Sequence, residues 1–345
     1  MKTPISATTF SSKGYCSAID PSGNVYMAGF KDTQVSYTET FGNLLLQKYN
    51  SSGDLLLDTT FTGTGVVHQL MTDSSGNVLV AIEHLNALEV DGVTIPNPTV
   101  FPQHAFLKLS SAGDLLWHKV MNVTDSHVQN FMSIVVDASN NIYLGYDDYG
   151  SCFIEKLDPN GNTMTMITQT NVNRITSLAV DTEGNIYAAG SCANTNSIFA
   201  GVLQPTDFDY TVYLVKYSPT GVFQWLNYVE DITCAAPIVK VHTPNDIYFC
   251  AETFVSVQLG AITLNGSFSG VNFFLTKLNA SGEYLWAREA PATGNVEVGT
   301  RNYLSLDALG NVYFAGIISG GLTDWGNDIT TDTHTFSNRE ALLLQ

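Results

Sequence analysis

A five-residue turn sequence that returns six times constrains the fold more than any other feature of this chain. It runs from aspartate to asparagine at 20–24, 73–77, 137–141, 181–185 and 307–311, and a degraded sixth copy occupies 242–246. Strand-like apolar runs flank the copies, as in 177–190. This pattern predicts a β-hairpin whose aspartate bonds the turn backbone and whose glycine supplies a positive φ. Asn140 and Asn245 replace that glycine in two copies, and we expect both to adopt the same conformation.

A second turn, centred on a glycine, follows five of these hairpins. Each glycine has a lysine five residues before it, and a leucine, threonine or tryptophan four residues after it. The glycines are Gly53, Gly113, Gly161, Gly221 and Gly282; five residues earlier stand Lys48, Lys108, Lys156, Lys216 and Lys277, and four residues later stand Leu57, Trp117, Thr165, Trp225 and Trp286. We interpret these positions as structural, with lysine stems covering the sheet edge, ammonium groups pairing with turn aspartates, and tryptophans packing between neighbouring sheets. The aspartates are Asp20, Asp73, Asp137, Asp181 and Asp307. A ring of ligand-binding lysines and ligand-stacking tryptophans are the functional alternatives.

Two successive hairpins make one four-stranded unit, and the chain holds six such units. We therefore predict an all-β fold, a six-bladed β-propeller of four-stranded antiparallel blades forming a single domain over 1–345. The expected blades are 11–61, 66–122, 131–170, 175–231, 236–291 and 303–345. The sixth unit ends at its third strand, so we expect the N-terminal strand 4–10 to supply the fourth in a 3+1 closure. A longer natural chain would allow seven blades.

The combined pattern D-x-x-G-N-[VI]-Y and F-[LV]-x-K-[LY]-x-x-x-G-x-x-x-W, seen at 274–286, resembles the bacterial β-propeller repeat family often labelled SBBP. The resemblance covers nearly the whole chain, with departures at 242–246, at Leu57 and Thr165, and in the truncated last unit. It implies a propeller fold. Relatives of this kind occur in secreted or surface proteins of bacteria and in proteins of large DNA viruses, and they share no single reaction. An extracellular surface or virion location is therefore the expectation.

Charge and composition exclude several partner classes. Lys+Arg number 14 and Asp+Glu 32, for a net charge of -18, and no basic cluster is present. Because binding to phosphates needs cations, we expect neither nucleic acid nor an anionic membrane as partner. Five scattered cysteines signal neither a disulfide framework nor a zinc knuckle. The N-terminus lacks an apolar signal-peptide core, and we expect no membrane insertion.

The candidate sites lie in the connections between second and third strands, which are long and different in each unit. These connections are 84–104, 191–211, 253–272 and 317–339, and they carry aromatic rings beside aspartate and asparagine. Variable loops on a repeat scaffold commonly hold function. The candidate ligand-binding residues are Phe101, His104, Asp207, Asp209, Tyr210, Phe268, Trp325 and Asp328. Ordinary loop aromatics that tuck onto the blade edge are the alternative.

No catalytic motif supports an enzyme. The sequence has no G-x-S-x-G, H-E-x-x-H or phosphate-binding loop, and no two histidines have metal-ligand spacing, although His84 and His104 bracket one loop and could meet in space. We expect no catalytic residue, metal or cofactor; calcium at Asp207, Asp209, Asp324 and Asp328 is a weaker alternative. The leading hypothesis is a non-enzymatic recognition or structural module for a protein partner. A carbohydrate-binding lectin using the same loops is the alternative, and a hydrolase or lyase is the third.

Overall fold

The structure is a computed structural model that describes residues 13–35, 40–99, 101–121, 130–148, 150–232, 234, 236–254, 256–266, 272–289, 295–298, 303–319, 322–326, 329–332 and 340–345. These residues form strands and turns without a helix, which confirms the all-β prediction. The chain divides into two compact units. Unit 1 comprises Met1–Leu144 and Glu155–Met164, and unit 2 comprises Gly145–Ile154 and Thr165–Gln345.

The strands are numbered in chain order. Those up to the third repeat are β1 (Lys13–Ile19), β2 (Val25–Val35), β3 (Thr40–Tyr49), β4 (Leu55–Thr72), β5 (Val78–His84), β6 (Leu88–Val90), β7 (Val93–Ile95), β8 (Gln103–Leu109), β9 (Leu115–Val120), β10 (Asn130–Val136), β11 (Ile142–Asp147), β12 (Ser151–Leu157) and β13 (Thr163–Thr170). The fourth and fifth repeats contain β14 (Arg174–Val180), β15 (Ile186–Cys192), β16 (Asn196–Phe199), β17 (Val202–Pro205), β18 (Thr211–Tyr217), β19 (Phe223–Glu230), β20 (Ile238–Thr243), β21 (Asp246–Thr253), β22 (Val257–Leu259), β23 (Ile262–Leu264), β24 (Asn272–Leu278) and β25 (Tyr284–Glu289). The last repeat contains β26 (Asn295–Val298), β27 (Leu304–Leu306), β28 (Val312–Ser319), β29 (Leu322–Gly326), β30 (Ile329–Asp332) and β31 (Glu340–Leu344).

Antiparallel pairing follows the predicted repeat. In unit 1 the strand order is β1-β2-β3-β4-β5-β8-β9, because the 18-residue strand β4 closes the first repeat and opens the second. In unit 2 the fourth repeat has the order β14-β15-β18-β19 and the fifth β20-β21-β24-β25. In the sixth, β31 pairs with β28, as expected of its third strand. The proposed closing strand, 4–10, lies outside the described residues, so the closure and the blade count stay predictions.

The first-hairpin turns share one hydrogen-bond pattern. The Asp73 backbone N–H donates to Asn77 O, and the Gly76 N–H donates to Asp73 O. The Asp73 carboxylate accepts bonds from the Ser75 and Asn77 N–H groups at 2.9 Å each. The same bonds recur at the other aspartate turns, and Asn140 has φ 62°, as predicted. The repeated aspartate therefore fixes the turn.

The prediction for Asn245 was wrong. It is absent from the described residues with positive φ, and Thr243 pairs directly with Asp246. The two-residue connection through Pro244 and Asn245 is shorter than the other turns, so the position that needs a left-handed residue has been lost.

Short hairpins in the long connections were not predicted from the sequence. Hairpins β6–β7, β16–β17, β22–β23 and β29–β30 each lie between the second and third strands of a repeat. The Ala200-Gly201 turn of β16–β17 has φ 50° and 81°, typical of a type I′ turn. β16 pairs with β13, and Thr62 of β4 pairs with Glu89 of β6. Hairpins β6–β7 and β16–β17 therefore cover the outer strand of the preceding repeat, an edge that would otherwise invite aggregation.

The residues four positions after the second-turn glycines pack against the next repeat. A Cβ added to Gly161 would lie 3.0 Å from the Trp117 ring, and one added to Gly282 would lie 2.9 Å from the Trp225 ring. Leu57 takes the same place beside Gly113. This packing explains why the sequence keeps both the glycine and the large apolar residue.

The repeated lysines connect consecutive repeats as well. Lys108 Nζ donates to Pro159 O at 3.1 Å and Lys216 Nζ to Ala280 O at 3.3 Å, both in the turn that precedes the next glycine. Lys48, Lys108 and Lys277 lie within ion-pair distance of Asp20, Asp73 and Asp246. At three other turns the aspartate accepts a hydrogen bond from a tyrosine hydroxyl. The pairs are Asp137 with Tyr143, Asp181 with Tyr187, and Asp307 with Tyr313. The turn aspartate thus has a hydrogen-bonding or ionic partner in both arrangements.

Gly190→Ala is expected to destabilise unit 2 by about 2–3 kcal/mol, because the added Cβ would overpack a closed site. That Cβ would lie 2.0 Å from Arg174 O and 2.6 Å from Tyr213 Oη. Urea unfolding of the full chain measures the change. The control is Gly150→Ala, where nothing lies within 4 Å of the new Cβ and the φ is not in the left-handed range. Equal stabilities for the two variants would contradict this prediction.

Candidate functional site

The segment 202–210, which we call the hairpin surface, brings together most of the described candidate residues in unit 2. Tyr210 and Leu203 are 56% and 55% exposed, and Val202 and Phe208 are exposed as well. Asp207 and Asp209 are also exposed and alternate with the two rings. A nine-residue segment therefore presents four large apolar side chains and two carboxylates to solvent.

Hydrogen bonds hold this segment in place. The Thr206 N–H donates to Thr195 O at 3.0 Å, and its hydroxyl donates to Glu230 Oε1 at 2.9 Å. The Tyr228 hydroxyl donates to Gln204 O at 2.9 Å. Because these bonds hold the backbone at Gln204 and Thr206, the exposed rings that follow are presented with little loss of conformational freedom on binding.

Phe101 lies in a separate loop of unit 1. It is 57% exposed, and its carbonyl accepts bonds from Asn97 Nδ2 and Thr99 Oγ1, at 2.9 Å each. Asn97 Nδ2 also donates to His84 O and Leu85 O, so the loop is tied back to the end of β5. The loop therefore presents a single ring from an ordered turn. Phe268 and Asp328 lie outside the described residues; Trp325 is in β29, but its side chain is outside them.

His104 has a different environment from the one expected. On neighbouring strands, Glu83 pairs with His104 and His84 pairs with Gln103, so His84 and His104 point to opposite faces of the sheet and do not meet. Instead His104 stacks on His68, with ring centroids 5.6 Å apart. His68 Nε2 lies 2.7 Å from Glu83 Oε2. One nitrogen or carboxylate oxygen from each of the three lies within 4.8 Å of the others.

We call these three residues the His-Glu-His cluster. Its members are 15 and 21 residues apart in sequence, a spacing that no ligand motif contains. The signal that would have found two of them is strand register: Glu83 lies six residues after the first turn and His104 four before the repeated lysine. His68 sits at a register shift between Val67 and Gln69, and an irregularity of this kind cannot be placed from sequence alone.

Glu252 occupies the position of Glu83 in the fifth repeat, where it faces Phe273 across the strands. Burial raises the pKa of the Glu252 carboxyl, the Val298 N–H bond opposes the shift, and Glu297 adds to it. The folded chain therefore holds the proton more tightly than the unfolded chain. The resulting stabilisation is present below pH 4.5 and is lost as the pH rises through the raised folded pKa.

Glu252→Gln is accordingly expected to stabilise the protein at pH 7, because it removes a buried carboxylate and keeps an oxygen for Val298. The gain should shrink as the pH falls and vanish below pH 4.5, where the wild-type carboxyl is protonated in both states. Chemical unfolding at pH 7, 5 and 4 measures it, with the exposed Glu89→Gln as the control. A gain that does not depend on pH would contradict the assignment to Glu252 titration.

The described part of the chain contains no helical segment with the length and hydropathy needed to cross a membrane. No family model and no curated protein matches the sequence. Among solved structures, the fold is similar to a Lactobacillus plantarum protein at TM-score 0.47, with 11% identity over 96% of this chain and 88% of that chain. It is similar to a streptogramin B lyase at TM-score 0.46, with 13% identity over 96% and 83%. The Dos1 propeller matches at TM-score 0.46, with 9% identity over 95% and 86%. Similarity at this level does not assign a function.

Proposed function

We propose that this chain is a β-propeller repeat protein that acts as a non-enzymatic recognition module and binds a protein partner through the hairpin surface. The propeller is supported by five first hairpins with a common turn and by four-stranded antiparallel units in the fourth and fifth repeats. Contacts of tryptophan and lysine side chains with the next repeat support stacked repeats. A 3+1 closure with strand 4–10, in a single domain, completes the proposal.

The hairpin surface is the observation that carries the recognition role. Protein interfaces are enriched in exposed aromatic residues and depleted of lysine at their centres, and this segment contains Phe208 and Tyr210 but no lysine. Its strand β17 is anchored by Thr206, which follows it, and by the Gln204 carbonyl. A rigid exposed aromatic pair is the kind of feature that supplies binding hot spots.

The double variant Leu203→Ser/Tyr210→Ser is expected to lose partner binding while it stays folded, because both side chains are exposed and make little contribution to the core. The measurement is affinity capture from the source organism's extract with immobilised full-length chain, quantified by mass spectrometry. The proteins retained by the wild type should fall at least 10-fold with the variant.

The matched control is Val222→Ser, which removes an equally exposed apolar side chain from a turn in the same unit. It should retain the wild-type set of proteins. Equal capture by the wild type and the double variant would show that the hairpin surface is not the binding site, and equal loss with the control would show a general effect of surface polarity.

A lectin is the second candidate, and the alternation of Asp207, Phe208, Asp209 and Tyr210 favours it. An aromatic ring stacks on sugar C–H groups while adjacent carboxylates accept hydroxyl protons. A glycan array with the purified chain, with and without calcium, distinguishes the candidates. Selective glycan binding that Tyr210→Ala abolishes would support the lectin. An array without signal from folded protein would exclude the lectin hypothesis and leave recognition of a protein partner as the proposed function.

A further inference from the structure

We propose that the His-Glu-His cluster of unit 1 is a binding site for a divalent transition-metal ion of the zinc class. His68, Glu83 and His104 offer two imidazole nitrogens and one carboxylate oxygen, a ligand set that zinc uses when three protein groups bind it. The ligand atoms lie within 4.8 Å of one another. Ligand atoms held tetrahedrally at about 2.1 Å from one ion lie about 3.4 Å apart. Side-chain rotations that move the ligand atoms by about 1 Å therefore complete the site.

The backbone places the three groups for convergence. Glu83 and His104 are direct cross-strand partners on β5 and β8, so their side chains leave the sheet on the same face. His68 reaches them from β4, at the register shift between Val67 and Gln69. A bulge re-aims one side chain relative to a regular strand, and bulges are common beside functional sites.

The burial of the cluster suits a metal site with an open position. The side chains of His68 and Glu83 are 13% and 12% exposed, and His104 is 3% exposed. Solvent therefore reaches the His68 and Glu83 side while His104 forms the floor. Three protein ligands with one solvent-facing side leave a fourth position for water or for a ligand group.

The other repeats show that the fold does not need these polar residues. The pair equivalent to Glu83 and His104 is Phe30 and Leu44 in the first repeat and Ser191 and Val212 in the fourth. Phe30 and Leu44 are buried apolar residues at the same register. The fifth repeat keeps the glutamate as Glu252 but places it opposite Phe273. Because the same scaffold accepts an apolar pair or a glutamate without a histidine there, the combination of the glutamate with two histidines serves a purpose specific to the second repeat.

The test is metal titration of the full-length chain after removal of bound ions with a chelator. Isothermal titration calorimetry with Zn²⁺ should give one ion per chain, and Ca²⁺ should give no binding because calcium takes oxygen ligands. His68→Gln, Glu83→Gln and His104→Gln should each weaken Zn²⁺ binding more than 100-fold, since loss of even an outer-sphere partner typically costs 10- to 100-fold. His118→Gln, on β9 of the same unit, is the control and should bind as the wild type does.

A second measurement uses the wild-type chain, so its outcome does not depend on whether the variants fold. The absorption spectrum of the wild-type chain loaded with Co²⁺ should show tetrahedral or five-coordinate d–d bands without a thiolate charge-transfer band, because no cysteine belongs to the cluster. Absence of Zn²⁺ binding by folded wild-type protein would overturn the proposal and leave a structural His–Glu ion pair. Unchanged affinity in all three variants, or a thiolate band, would overturn it by placing the metal elsewhere.

Discussion

Lys108→Met should destabilise the protein by about 3–5 kcal/mol, because it leaves the Asp73 carboxylate buried without its cation. Lys108 Nζ lies 2.9 Å from Asp73 Oδ2, and the two side chains are 6% and 1% exposed. Burial raises the pKa of Asp73, but hydrogen bonds from Asn77 and Lys108 outweigh it and keep that pKa below its usual value. The same lysine also donates to Pro159 O, so the substitution removes a contact to the next repeat.

The equivalent substitution in the fifth repeat provides the control. Lys277 pairs with Asp246 at the same repeat position, but the side chains are 23% and 28% exposed. A partly solvated pair contributes about 1 kcal/mol or less, so Lys277→Met should cost far less than Lys108→Met. Urea unfolding of both variants gives the comparison. Similar costs would show that burial does not set the contribution of the ion pair, and the role assigned to burial would then be wrong.

The repeat could be predicted from the sequence because its positions are defined by local chemistry. Aspartate at the first turn bonds its own backbone, and glycine at the second takes a φ between 80° and 95°, requirements that act over a few residues and so leave a readable pattern. The place of Leu57 and Trp117 beside the next repeat's glycine also follows from constant spacing.

Two other features depend on contacts that are distant in sequence. The hairpins β6–β7 and β16–β17 have short strands, and what stabilises them is pairing with β4 and β13 of the preceding repeat. The His-Glu-His cluster depends on a register shift in β4. Of the hairpin surface, the sequence named Asp207, Asp209 and Tyr210 as candidates, since polar loops with aromatic residues are recognisable, but it did not predict Glu83 and His68 as neighbours of His104.

Trp225→Ala should cost about 3 kcal/mol, the low end for loss of a large aromatic side chain, because the indole is only partly buried. The ring packs directly on the Gly282 turn of the next repeat, and Nε1 donates to Ala280 O at 2.9 Å. The indole is also tilted against the Tyr187 ring, with centroids 6.2 Å apart. Trp225→Phe keeps most of the apolar contact but loses the hydrogen bond to Ala280 O, and loss of that bond should cost about 1 kcal/mol. Chemical unfolding of both variants separates the contribution of the hydrogen bond from that of the apolar contact.

A double-mutant cycle with Gly282→Ala tests whether the indole and the glycine act as one contact. Gly282 has φ +82°, and its added Cβ would lie 2.9 Å from the Trp225 ring, whereas Gly201 has φ +81° with nothing within 4 Å. Gly201→Ala therefore measures backbone strain alone, and the excess cost of Gly282→Ala measures the clash. Once Trp225 is alanine, that excess should disappear, with a coupling energy of about 1 kcal/mol or more. Additive costs would mean that the ring does not rest on the turn, and stacking of consecutive repeats through this position would lose its support.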